Sequence, residues 1–178
     1  MTFVFVSGSA ALDFAGTVRS RRDSPLDQLG TREDLAAWAE ASGLLSTPPA
    51  VTDADLRAAV QLREAVYRLV LARGAGAALA PEDRAVVNRA AARTPVRPEL
   101  GDGGAVLRHG TVAAVLSSVA RDAVDLLAED PARVKECAAP RCTRLYVDRS
   151  HRGSRRWCDM GRCGNRAKAA AHRSRRQA

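Results

Sequence analysis

A chain of 178 residues that is 46% hydrophobic but only 4% aromatic can bury one ordinary core made of Ala, Val and Leu. The composition excludes a chain too poor in apolar residues to fold. The formal net charge of +8 is unevenly divided: from Cys137 onward 12 Lys/Arg face only Asp148 and Asp159, a net +10, which leaves −2 over residues 1–136. Such asymmetry directs the last quarter of the molecule at a polyanion.

In chain order, Thr2 to Val6 reads as a short apolar strand broken by Gly8 and Ser9. The run is too short to span a membrane and has no basic residues before it, so no membrane partner is expected and the protein is placed in the cytoplasm. Residues 10–18 predict a short helix and 20–30 a loop, and Arg19, Arg21 and Arg22 are expected to be loop charges at the surface. Thr31 and Asp34 make a loose capping box for a helix with Leu35, Trp38 and Ala39 on one face and Gly43 as its stop. After Thr47-Pro48-Pro49, Thr52 or Asp53 caps the next helix. Its apolar stripe is Leu56, Ala59, Val60, Val66, Leu69 and Val70. Pro81 opens a further helix, which stops before Pro95. Residues 96–109 predict a β-hairpin around Gly101-Asp102-Gly103-Gly104. The strongest helical pattern runs from Thr111 to Ala128, with Val112, Val115, Leu116, Val119, Ala123, Leu126 and Leu127 inward. Asp130-Pro131 then delivers the chain to Cys137.

The only four cysteines are Cys137, Cys142, Cys158 and Cys163, two pairs of matching spacing around one short connection. Two disulfides, a rubredoxin-like iron site and a structural zinc site all fit four cysteines. A reducing cytosol and a closed four-thiolate shell favour one structural Zn²⁺. A knuckle around Pro140, a strand over 143–147, a return strand over 155–158 and a helix after Cys163 predict a treble-clef-like finger. Leu145, Tyr146 and Trp157 form its small core, so metal must supply much of the folding energy.

Residues 137–176 resemble the CGNR-type zinc finger. The tetrad stands here as Cys163-Gly164-Asn165-Arg166, and Leu145-Tyr146-Val147-Asp148, Ser154-Arg155-Arg156-Trp157-Cys158 and Arg166-Ala167-Lys168 also fit. The preceding part resembles the family's usual companion, the ABATE domain, through Ala11-Leu12-Asp13-Phe14-Ala15-Gly16-Thr17, Asp34-Leu35-Ala36-Ala37-Trp38 and Gly43-Leu44. Gly16 stands where that family commonly has Asn. The resemblance implies a bacterial, stress-related transcription regulator that binds zinc and DNA.

The fold class is therefore mainly α. A helical body over 1–136 has short β-hairpin elements, and a small treble-clef-like finger covers 137–178. Arg144, Arg155, Arg156, Arg162, Lys168, Arg173, Arg175 and Arg176 are the candidate nucleic-acid contacts, because several cations acting together displace condensed counterions. Asp148, Trp157, Asn165 and Arg166 are assigned to finger structure, with Arg166 expected to pair with Asp148. Asp13, Thr17, Arg19 and Trp38 are candidates for an effector pocket in the body, which senses a small molecule, forms a homodimer, or does both. No nucleophile–base pair, phosphate loop or paired-carboxylate pattern marks an enzyme. The competing readings are a zinc-stabilised protein-interaction module and an RNA-binding protein.

Overall fold

Ser9 begins the ordered body by capping α1 (Ala10–Ala15), its hydroxyl accepting the Leu12 N–H at 3.3 Å. Asp122, from a helix far along the chain, accepts the Ala11 N–H at 2.8 Å and ties the same helix start to the core. The computed structural model describes residues 2–177, apart from the side chains of 171 and 174–177. Both predicted capping boxes form: Thr31 with Asp34 opens α2 (Arg32–Ala41), and Thr52 with Asp55 opens α3 (Asp53–Gly74). Gly43, at φ +71°, supplies the left-handed turn past the end of α2. Pro81 stands in the first turn of α4 (Pro81–Ala91), and Thr111 caps α5 (Val112–Ala128).

α3 and α5 are the spine, α4 packs on both, and α1 sits against α3 and α5. The core joins Leu12, Phe14, Trp38, Leu62, Val66 and Val115, all essentially inaccessible, with many small Ala and Val side chains around them. The predicted hairpin forms from β3 (Arg97–Leu100) and β4 (Val106–His109) and leaves Leu100 and Val106 exposed. No helix among the described residues is long and apolar enough to cross a membrane.

Several expectations are corrected. The stretch from Thr2 to Val6 forms no strand. Its backbone is satisfied by side chains instead: the Asp13 carboxylate accepts Val6 N–H and Ser7 N–H, each at 3.0 Å. Residues 20–30 are not plain loop. Val18–Arg19 (β1) pairs with Leu26–Asp27 (β2), and the buried Arg63 of α3 grips Asp27 through two bonds of 2.7 and 2.8 Å. Arg21, expected as a surface charge, bonds Glu64 at 2.6 Å and lies 4.0 Å over the Tyr67 ring. The finger's hairpin is also different. β6 (Leu145–Val147) pairs backwards with β5 (Val134–Glu136), not forwards with 155–158, so the two strands flank the first cysteine pair.

β6 alternates its side chains between two cores. Leu145 and Val147 enter the main body core, whereas Tyr146 faces the cysteine cluster. Leu145 is thus not part of the finger's own small core, and the finger is seated on the body by one shared strand.

Candidate metal centre and its surroundings

Four thiolates holding zinc at about 2.3 Å form a tetrahedron with sulfur–sulfur edges of about 3.8 Å. The Sγ atoms of Cys137, Cys142, Cys158 and Cys163 all lie within 4.8 Å of one another. Cys142 to Cys158 is 3.9 Å and Cys158 to Cys163 is 3.6 Å. A disulfide brings its sulfurs to about 2.05 Å, and all four cysteines are free. The residues therefore fit one tetrahedral zinc ion, which closes the shell with thiolates alone.

The thiols make the same demand electrostatically. A hydrogen bond from Cys158 lowers Cys142 to about 5, and the same pairing drives Cys158 upward. Burial, then the charge of Cys142, pushes Cys163 up to about 11. Four negative sulfurs cannot coexist in this space without a cation, and a divalent metal removes that restraint while releasing protons.

The local chain is shaped around these ligands. Cys142 N–H bonds Ala139 O at 3.0 Å in a tight turn, which places Arg141 at φ +69°, a conformation costly for a side chain. Cys158 N–H points at the Cys137 sulfur, 3.4 Å away. Cys163 lies in a single π-helical turn, Met160–Gly164, that runs into α6 (Asn165–Gln177). A Cβ on Gly164 would stand 2.7 Å from the Met160 sulfur and 3.2 Å from Trp157, so a larger residue there would displace the exposed Met160 side chain and press on the indole. Asn165 reaches back to Gly161 O at 3.3 Å. Trp157 is half-buried against the cysteines.

Asp148 is buried, and Arg166 is not its partner. It accepts Lys135 Nζ at 2.8 Å, Ser150 Oγ at 2.6 Å and the Arg155 N–H at 3.1 Å. The Lys135 bond, then Ser150, holds its carboxyl far below the usual range. Lys135, which precedes the cysteines on β5, carried no sequence signal for this role.

The candidate phosphate contacts divide into two groups. Arg144 and Arg155 turn inward. Arg144 is 9% exposed and donates to Val4 O at 3.0 Å and Gly16 O at 3.3 Å, with Asp13 at 3.7 Å. Arg155 donates to Trp157 O at 2.8 Å, Val6 O at 3.1 Å and Cys158 O, and stacks 4.4 Å over the Tyr146 ring. These two arginines fasten the finger and leave no guanidinium for a phosphate. Arg156, Arg162, Lys168 and Arg173 are exposed, as is Arg166. Arg156 rests over the Trp157 ring at 5.4 Å, and Arg162 lies 3.9 Å from Asp159. The side chains of Arg175 and Arg176 lie outside the described residues.

The effector pocket expected in the body does not assemble from its four candidates. Asp13 caps the backbone of Val6 and Ser7, and burial raises its carboxyl although Ser7, Val6 and Arg144 oppose that shift. The Thr17 hydroxyl donates to Phe14 O at 2.7 Å. Trp38 is packed 4.7 Å from the Phe14 ring, with its indole N–H unpartnered. These three are internal structure. Arg19 alone faces open space, on a cleft of about 590 Å³ between body and finger.

Gly16 also acquires a physical reason. A Cβ there would lie 2.5 Å from the Arg144 guanidinium, so the bare glycine makes room for the arginine that pins the finger.

A search among curated proteins returns no match. Residues 133–176 match the CGNR zinc finger. Residues 8–130 match ABATE, described as a putative stress-induced transcription regulator. With that match covering more than half of its length, and with the four-cysteine centre in place behind it, this chain belongs to the ABATE family and carries a CGNR zinc finger.

Proposed function

We propose that the protein is a DNA-binding regulator whose zinc-clasped finger presents its outer arginines to duplex phosphates. One observation carries this reading: Arg156, Arg166, Lys168 and Arg173 are exposed on one small module and have no carboxylate partner among the described residues. Four thiolates and one Zn²⁺ remove only two charges from the +10 of that stretch, so the metallated finger remains strongly cationic. Aromatics suited to base stacking are scarce, since Tyr146 is buried and Trp157 is half-buried, which favours duplex DNA over single-stranded RNA.

The test is a salt series of binding to a mixed-sequence duplex. Each phosphate contact contributes about 0.9 to the log–log salt slope. The triple variant Arg156→Ala/Lys168→Ala/Arg173→Ala is expected to flatten the slope by about 2–3 while retaining its zinc. An unchanged slope contradicts phosphate contact by these residues.

A second reading is supported by the shared strand. Because Leu145 and Val147 belong to the body core, the finger also serves as a structural buttress. In that reading the exposed cations contribute solubility, and duplex DNA binds neither protein above background.

A further inference from the structure

The cleft between body and finger has one wall from the N-terminal segment and β1, one from the cysteine knuckle, and one from α6. Its volume of about 590 Å³ lies within the roughly 300–1,000 Å³ usual for sites that enclose a small organic molecule. Two kinds of surface meet there. Val4, Val6, Val18, Ala139 and Ala167 give an apolar lining, and Arg19, Arg166 and Arg173 give guanidiniums with no carboxylate partner among the described residues. The nearby Arg141 and Arg162 already have Asp23 and Asp159. Arg166, Ala167, Ala170 and Arg173 follow helical spacing, so one continuous face of α6 closes the cleft.

We propose that this cleft binds a small amphipathic organic anion. Its carboxylate, sulfonate or phosphate group meets Arg19 and Arg166, and its hydrocarbon part lies on the valines and Ala167. Bare phosphate leaves the apolar wall wet, and a neutral or cationic amphiphile leaves the guanidiniums unanswered. Because Arg19 belongs to the body and Arg166 to the finger helix, one bound anion ties α6 to the body. The ligand thus occupies Arg166, one of the cations proposed above for phosphate contact, and so bears on how α6 meets DNA. The proposal supplies an effector class for the regulator proposed above and rests on that role. Its main test reads probe binding with no DNA present, and duplex enters only as a competitor, so the two readings fail separately.

The probe is 1-anilinonaphthalene-8-sulfonate, titrated by fluorescence into the zinc-loaded full chain. One saturable site is expected, emptied by octanoate but not by equal concentrations of octylamine or inorganic phosphate. Arg19→Glu should weaken the probe about tenfold or more, since a charge-assisted bond is replaced by repulsion. Ala167→Trp should fill the cleft and abolish binding with zinc content unchanged. Leu100→Ser/Val106→Ser, on the exposed β3–β4 hairpin, should leave binding unchanged. The proposal is overturned if the probe ignores both cleft variants, if the hairpin variant removes it, or if octylamine competes as well as octanoate. It is also overturned if a short duplex displaces the probe while octanoate does not, because the cleft is then part of the nucleic-acid surface.

Discussion

Cys158→Ser protein is expected to purify with less than one zinc per chain and to lose stability in the body as well as the finger. Cys158 is 3% exposed and stands within 3.9 Å of Cys142 and 3.6 Å of Cys163, so a hydroxyl there removes a central vertex of the tetrahedron. Zinc affinity in small four-ligand modules represents about 10–16 kcal/mol, and most of it is folding energy. The loss spreads because β6 is shared: when the cysteine side of the strand loosens, Leu145 and Val147 are released from the main core. Thermal unfolding followed by circular dichroism, with and without a strong chelator, measures this. The wild type should fall to the variant's melting temperature when chelated, and the variant should not respond to chelator. Zinc binding should weaken as pH falls, because protons compete for the thiolates that the metal needs. A variant that melts like the metallated wild type would show the finger to be independent of the body.

Arg144→Ala should be the most damaging single change outside the cysteines, costing about 2–4 kcal/mol in urea unfolding. It strips the donor from the buried Gly16 carbonyl and the half-buried Val4 carbonyl, and removes the cation beside Asp13. Burial already raises the Asp13 carboxyl above its ordinary value, so its charged form carries a desolvation cost. Arg144 is among the groups that oppose that shift, and without it the buried carboxylate is costlier still. The penalty should therefore be largest near neutral pH and shrink as acid protonates Asp13. Zinc content and the slope of DNA binding against salt should stay as in the wild type. A flattened slope with unchanged stability would restore Arg144 to the phosphate contacts assigned from sequence.

Much of the architecture is written locally. The capping boxes at Thr31 and Thr52, the proline opening α4 and the apolar stripe of α5 depend on residues within a turn or two of one another, so spacing reveals them. The cysteine set was legible for the same reason, because paired ligands of repeated spacing impose convergence. What escaped was long-range. An arginine bonded to a carbonyl more than a hundred positions away resembles any other arginine in a basic stretch, and Arg144 and Arg155 were read with their exposed neighbours. Arg63 and Glu64 clamp the 18–29 segment from the middle of α3, where nothing sets them apart from a solvated face. The finger's hairpin was misplaced because Val134-Lys135-Glu136 has too little alternation to announce a strand, whereas Leu145-Tyr146-Val147 announces one without naming its partner. Gly16, where the family commonly has Asn, is the space that Arg144 occupies.

The central claim is that four sulfurs hold one zinc ion and thereby fix the finger on the body. X-ray absorption at the zinc edge, on protein purified without added metal, tests it most directly. The account predicts one zinc per chain with four sulfur neighbours at about 2.3 Å. Nitrogen or oxygen in the first coordination sphere, or a chain that folds fully with no zinc, would contradict it.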